Sequence, residues 1–288
     1  MTNIDQREGF IWINGKFVKW QEAKIHVLTH GLHFGSSVFE GERSYNGKVF
    51  KMREHHERLF ESAEILDLTP QYTIEEINDI VMETLAQNNL TNAYIRPLIW
   101  RGSENLSVFS RDSSINVMVA AWEWKSYFGE DLLKEGVSLC WADWRRPDPR
   151  TAPTSAKASG LYMIGTISKN KARDKGFDDV IMTDYRGYIA ESSGSNIFFV
   201  INDEIHTPAP HAFLNGITRQ TIIEISKQKG YKVYSRDILP EELRDFDEVF
   251  LTGTAAEVVP VGKIENQVFE IGYITKELRK AYLELVNA

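Results

Sequence analysis

The chain has 288 residues, 42% hydrophobic and 26% charged, with 41 acids against 33 bases for a net charge of -8. That length exceeds one ordinary core and predicts two domains, and an acidic chain without a Lys/Arg cluster argues against nucleic acid and anionic membranes as partners. The single cysteine, Cys140, excludes an internal disulfide and a cysteine-built metal site. No apolar run approaches the roughly 20 residues of a membrane span, and residues 1–9 lack the basic-then-apolar layout of a signal peptide. These features predict a soluble, cytoplasmic protein.

In chain order, residues 10–13 and 17–20 flank Asn14-Gly15, a preferred two-residue turn, and predict a hairpin. Asn46-Gly47, between 43–45 and 49–51, predicts another. Leu59, Ala63 and Leu66 recur at helical spacing in a helix over 53–67. Thr73-Ile74-Glu75-Glu76 is a capping-box pattern that opens a second helix toward Asn88. Strands are expected over 93–100 and 115–124, and Pro97 inside the first predicts an edge or a bulge. Residues 126–135 carry Gly129 and mixed charges and read as an interdomain loop, giving a smaller domain over 1–125 and a larger one over 136–288.

The second half predicts a strand over 137–144, then a helix over 159–175 stopped by Gly176. Short strands over 180–183, 188–190, 197–200 and 204–207 are separated by turn residues. A helix from Gly216 to Lys229 stops at Gly230, strands follow over 248–251 and 258–261, and Thr275 caps a final helix through Leu285. The sum is an α/β fold of the α+β kind.

Four segments could carry chemistry. Lys157 sits among small residues in Pro153-Thr154-Ser155-Ala156-Lys157-Ala158-Ser159-Gly160, where a bulky aldehyde could reach its amine; the plainer reading is a surface lysine in a loop. Glu191-Ser192-Ser193-Gly194-Ser195-Asn196 puts an acid at a strand end, where a carboxylate could face a pyridine nitrogen; it could equally be a solvated hairpin. Leu214-Asn215-Gly216-Ile217-Thr218-Arg219 offers free N–H groups at a helix start, which suit a phosphate or simply form an N-cap. Thr252-Gly253-Thr254-Ala255-Ala256-Glu257 follows a strand and exposes backbone donors, or makes a tight structural turn.

Together the four segments resemble the class IV aminotransferases, which are fold type IV enzymes dependent on pyridoxal 5′-phosphate (PLP). The run Glu191, Ser193, Asn196-Ile197-Phe198, Ile205, Thr207, Leu214, Gly216-Ile217 and Arg219 is similar to that family's long gapped signature. Within the family, the chain most resembles the branched-chain amino acid aminotransferases over nearly its whole length. Val38-Phe39-Glu40-Gly41 with Arg43, the Arg58 helix, Tyr94-Ile95-Arg96-Pro97-Leu98 and Ser155-Ala156-Lys157-Ala158 carry the likeness.

The resemblance implies two domains with the active site at their interface. It implies PLP as cofactor and transamination of branched-chain L-amino acids with 2-oxoglutarate, by a ping-pong course through pyridoxamine phosphate. Lys157 would hold PLP as a Schiff base and act as the acid/base, Glu191 would pair with the pyridine nitrogen, and Tyr162 would bind the phenolate oxygen. Arg58, Thr254 and the N–H groups of Ile217 and Thr218 would hold the phosphate. Tyr94 and the Thr254–Ala255 backbone would take the substrate carboxylate. Phe39, Trp124 and Tyr162, with Tyr127 of the interdomain loop, would line an apolar pocket, and Arg96 would reach a distal carboxylate.

The resemblance further implies at least a homodimer. Phe34 stands where a tyrosine for the distal carboxylate is frequent, Glu42 adds an acid near the pocket mouth, and Asn215 replaces a common proline.

Other signals are set aside. His26, His30 and His33 share a helical spacing, but Gly31 and Gly35 interrupt it and no carboxylate completes a metal site. His55 and His56 are expected to flank Arg58 on the surface. Rival readings are an aminotransferase for D-amino acids or amines, a PLP lyase of the aminodeoxychorismate lyase type, and a non-catalytic PLP-binding protein. Tyr94-Ile95-Arg96 and Thr254-Ala255-Ala256 argue against the first, and retention of Lys157, Tyr162 and Glu191 against the last.

Overall fold

A computed structural model describes residues 3–124 and 134–288. By its contacts the chain divides into two compact units, Met1–Lys125 with Ala156–Gly160, and Ser126–Ser155 with Leu161–Ala288. The lysine segment thus joins the first unit, although residues of the second intervene in sequence. Ala158 bridges to Val38 in antiparallel fashion, which accounts for the attachment.

The first unit holds strands β1 (Phe10–Ile13), β2 (Lys16–Lys19), β3 (Ser37–Phe39), β4 (Glu42–Tyr45), β5 (Lys48–Val49), β6 (Ala93–Arg101) and β7 (Ile115–Glu123). Its helices are α1 (His30–Phe34), α2 (Met52–Ile65) and α3 (Ile74–Gln87). The 7-stranded sheet runs β2-β1-β7-β6-β4-β5, with β3 paired to β6. Both expected hairpins form. Asn14 and Gly15 have φ of 46° and 91°, and Asn46 and Gly47 have 52° and 84°, the left-handed pair that a tight hairpin turn needs. The capping box at Thr73 is present, with Glu76 N–H donating to Thr73 Oγ1 at 3.2 Å and Thr73 N–H to Glu76 Oε2 at 2.7 Å.

Pro97 departs from the expected edge position. β6 is central, with β7 on one side and β3 and β4 on the other. Glu40 N–H donates to Pro97 O at 3.0 Å, and the return bond that Pro97 lacks falls where β3 has ended and β4 has not begun. The proline therefore breaks the ladder only at Glu40–Gly41.

The second unit holds β8 (Val137–Trp141), β9 (Asp179–Thr183), β10 (Ile189–Glu191), β11 (Asn196–Ile201), β12 (Glu204–Pro208), β13 (Val233–Arg236), β14 (Glu248–Gly253), β15 (Glu257–Ile264) and β16 (Gln267–Val268). Its helices are α4 (Tyr162–Asp174), α5 (Ile217–Gln228) and α6 (Tyr273–Val286). The 9-stranded sheet runs β10-β9-β8-β15-β14-β11-β12-β13, and β10 also pairs with β11, so the path from β10 round to β11 closes into a ring. Ile181, Ile197, Phe199, Val249, Leu251, Val259 and Val261 fill its core.

Two expectations are corrected in this unit. β13 has no counterpart in the sequence reading; Val-Tyr-Ser-Arg is half-buried at most and pairs in parallel with β12 at the sheet's edge, so no alternating pattern marks it. Thr275 lies inside α6, because Glu248 of β14 caps that helix from outside, taking the Ile274 and Thr275 N–H groups at 3.2 and 2.8 Å. Among the described residues no helix is long and apolar enough to cross a membrane, and none of the His, Cys, Asp and Glu side chains gather into a metal site.

Candidate active site

In the first unit, the break between β3 and β4 places Glu40 beneath α2. Its carboxylate is fully buried and accepts from Arg58 Nε at 2.7 Å and Nη2 at 2.8 Å, from His55 Nδ1 at 2.7 Å and from the Gly41 N–H at 3.2 Å. Burial alone would raise its pKa; the charges and hydrogen bonds of Arg58 and His55 outweigh that and hold the carboxyl well below the usual range.

The sequence reading puts His55 and His56 on the surface, and both are buried. Glu42, expected near a pocket mouth, is buried as well and accepts from His56 Nε2 at 3.0 Å, while His56 Nδ1 faces Asn78 Oδ1 at 2.6 Å. Burial would lower the His56 pKa, but Glu42 and then Asn78 offset it and the net shift is upward, as two acceptors on one imidazole require. The physical reason for both corrections is that β4 and the break before it are buried under α2, so the inward histidines meet Glu40 in the break and Glu42 on the strand.

Lys157 is fixed through its backbone. Its N–H donates to Ser62 Oγ at 2.9 Å and its carbonyl accepts from the Phe39 N–H at 3.2 Å. Its Nζ then lies 5.1 Å from the centroid of the Phe39 ring. The Arg96 guanidinium lies 4.5 Å from the same ring and 5.4 Å from that of Tyr94, and its Nη2 donates to Tyr94 Oη at 3.0 Å. Tyr94 packs at 4.9 Å against Trp124. Gly41 has no room for a side chain, because a Cβ there would strike the Tyr94 hydroxyl. Lys157, Phe39, Tyr94, Arg96 and Trp124 are therefore gathered. Phe34 is apart from them: it ends α1, is 47% exposed and stacks on His30 at 4.5 Å. Tyr127 lies outside the described residues.

In the second unit the signature segments meet at one end of the ring. Glu191 ends β10 opposite Asn196, and Asn196 pairs across β11 with Thr252 of β14. Asn196 Nδ2 donates to Leu214 O at 3.0 Å and its Oδ1 accepts from the Gly216 N–H at 3.2 Å, which ties the turn before α5 to the same place. Gly216 is the N-cap of α5 and has no side chain to cap it, and the first turn holds no acid. Arg219 pins that turn, donating to Thr207 Oγ1, Asn215 Oδ1, Pro208 O and Ser235 Oγ, and burial pushes its pKa down to about 10. Ile217 and Thr218 present the first N–H groups. Thr254 and Ala255 form the turn after β14. Tyr162 opens α4, and Gly165, one turn on, lies so close to Ser193 O that a Cβ would collide.

The Glu191 carboxylate is buried beside Arg146, whose Nε is 3.2 Å away. Sequence reasoning missed Arg146, Ser62 and the functions of Glu40 and His55. Only Glu40 had a signal, an acid beside a glycine upstream of an arginine-bearing helix.

The first unit thus offers an amine among small residues and an arginine clamped by a carboxylate, and the second offers a buried carboxylate, a tyrosine and a glycine-capped helix N-terminus, each a kind of group that suits a phosphorylated, aldehyde-bearing ring. Comparison with known proteins accords with this. The family model for class IV amino-transferases matches residues 37–264. The branched-chain-amino-acid aminotransferase of Pseudomonas aeruginosa is 38% identical, over 99% of this chain and 95% of that protein. That of Escherichia coli K12 is 39% identical, over 97% and 94%. Among solved structures, the branched-chain amino acid aminotransferase of Escherichia coli superposes with a TM-score of 0.94 at 39% identity, covering 97% of this chain and 95% of that one. A branched-chain amino acid aminotransferase solved with pyridoxamine 5′-phosphate superposes equally well, at a TM-score of 0.94 and 39% identity over 98% and 95%. The chain therefore belongs to the class IV aminotransferases and, within them, to the branched-chain amino acid aminotransferase family.

Proposed function

We propose that the protein transfers amino groups between branched-chain L-amino acids and 2-oxoglutarate with PLP as cofactor. The observation that carries this reading is the Phe39 ring, with the Lys157 amine 5.1 Å from its centroid and the Arg96 guanidinium 4.5 Å away. An apolar wall beside the reactive amine suits leucine, and a cation on the same wall suits glutamate. One relative by structure, a branched-chain amino acid aminotransferase with a TM-score of 0.92, was solved with N-(5′-phosphopyridoxyl)-L-glutamate. The residues fit PLP: the N-cap of α5 is a glycine without a side chain, and among the described residues Arg96 Nε is buried without a hydrogen-bond partner, which suits an anionic ligand.

PLP when bound supplies an aldehyde that takes up the amine and a ring that accepts the electron pair released at Cα. Lys157 Nζ would be the amine that holds the cofactor's aldehyde carbon, and its free base would be the group that moves a proton at the substrate's Cα. Glu191, 3.2 Å from Arg146 Nε, would face the pyridine nitrogen and hold its proton. Tyr162 would donate to the phenolate oxygen. Arg58, the Thr254 hydroxyl and the N–H groups of Ile217 and Thr218 would hold the phosphate. Tyr94 and the Thr254–Ala255 backbone bind the substrate's carboxylate, Phe39 and Trp124 exclude water from its side chain, and Arg96 pairs with a distal carboxylate.

Assembly as a homodimer or larger homo-oligomer is part of the proposal. Val27 and Leu32 are 72% and 64% exposed, Val108 and Phe109 87% and 68%, and His30 bonding to Ser107 O holds these two apolar segments together. The acidic chain with one buried cysteine fits a reducing cytoplasm. The test is glutamate formation from 2-oxoglutarate with leucine, isoleucine or valine as donor. Turnover with these and none with D-alanine or a simple amine is expected; the reverse would move the substrate to another class.

A further inference from the structure

We propose that Glu40 is a positioning residue that aims the Arg58 guanidinium at the cofactor's phosphate. This rests on the reading of Arg58 as a phosphate ligand. A long arginine side chain loses rotamer freedom when fixed, and a ligand binds at less cost if the protein has already fixed it. Glu40 is built to do this. Its backbone N–H is held by Pro97 O at 3.0 Å, and its two oxygens accept from Arg58 Nε and Nη2, His55 Nδ1 and the Gly41 N–H. A carboxylate fixed on all sides grips the Nε–Nη2 edge of the guanidinium in a two-pronged pair. That grip limits the guanidinium to one orientation.

Charge and geometry predict opposite signs. Glu40 partly neutralises Arg58, so electrostatics alone says that removing the carboxylate tightens phosphate binding. Orientation says that removing it weakens phosphate binding. His55 adds to the second view, because its Nδ1 helps to fix the carboxylate that grips Arg58.

The experiment strips the full chain of cofactor and titrates it with PLP and with pyridoxal, which shares the ring and aldehyde but lacks the phosphate. Wild type, Glu40→Gln, Arg58→Ala and the double variant are compared. Glu40→Gln should weaken PLP by about tenfold or more, the worth of a charge-assisted hydrogen bond, and leave pyridoxal nearly unchanged. In the Arg58→Ala background the same change should add nothing. Where Glu40→Gln yields too little folded protein, Glu40→Asp carries the test: it keeps the charge, retracts the carboxylate by one methylene, and should lose the same preference for PLP. PLP affinity unchanged or tighter in Glu40→Gln, equal losses for both ligands, or a full effect without Arg58 would each overturn the proposal. If Arg58→Ala itself keeps the preference for PLP over pyridoxal, the phosphate reading of Arg58 fails. If Arg58→Ala loses that preference and Glu40→Gln keeps it, only the positioning role fails.

Discussion

Replacing Arg96 with methionine should separate the two substrates that one side-chain site must accept. The guanidinium sits 4.5 Å over Phe39, donates to Tyr94 Oη at 3.0 Å, and buries an Nε with no hydrogen-bond partner among the described residues. Its charge is therefore only partly compensated until a carboxylate arrives. Hydrogen bonds to a charged group are worth roughly 1.5–3 kcal/mol, and every 1.36 kcal/mol is tenfold, so kcat/KM for glutamate should fall by about 10- to 150-fold. Methionine keeps much of the apolar stem and fills space adaptably, so leucine should change little or improve, being relieved of a buried unpaired donor. Single-turnover rates with leucine and with glutamate, each measured as its half-reaction, give the comparison. Equal losses for both substrates would refute the account of dual recognition.

Lys157→Ala should abolish transamination and the absorbance of the lysine-bound cofactor, with the fold intact by circular dichroism; turnover near wild type would remove Lys157 from the mechanism. His56→Leu should strand Glu42 in the core and cost about 3–5 kcal/mol in urea unfolding, whereas His56→Leu combined with Glu42→Leu should cost much less; equal costs would mean that the pair does not hold Glu42. The His56 pKa is raised on folding, so its contribution is fully present below its ordinary value of 6.5 and is lost as pH rises through the folded value. The stability gap between wild type and His56→Leu should accordingly shrink as pH climbs above 6.5, and a gap that widens would contradict the sign. Glu40 acts in the opposite direction: its pKa is lowered on folding, so its contribution is present above 4.5 and is lost as pH falls.

What could be read from the sequence was set by local chemistry. Asn14-Gly15 and Asn46-Gly47 need left-handed backbone and show it, and Thr73 with Glu76 closes its own capping box within four residues. The long signature from Glu191 to Arg219 was legible as a likeness, and the structure adds its cause: Asn196 ties together the ends of β10, β14 and α5, and Arg219 locks the turn below. The unreadable part lay in contacts between distant segments. His55 and His56 carry no mark of burial, since their acidic partners, Glu40 in the break before β4 and Glu42 on β4, are 15 and 14 residues away. Thr275 looked like a cap because Glu248, the actual cap, is 27 residues upstream on β14. Pro97 argued for an edge or a bulge because nothing nearby reveals that β3 and β4 part opposite it.

The most direct test is the absorbance spectrum of the purified protein with PLP, taken before and after L-leucine and again after 2-oxoglutarate. The account predicts a band from the lysine-bound cofactor that leucine bleaches and 2-oxoglutarate restores. A band that ignores leucine and responds to D-alanine or a simple amine would contradict the substrate assignment, and the absence of any band would contradict the role of PLP itself.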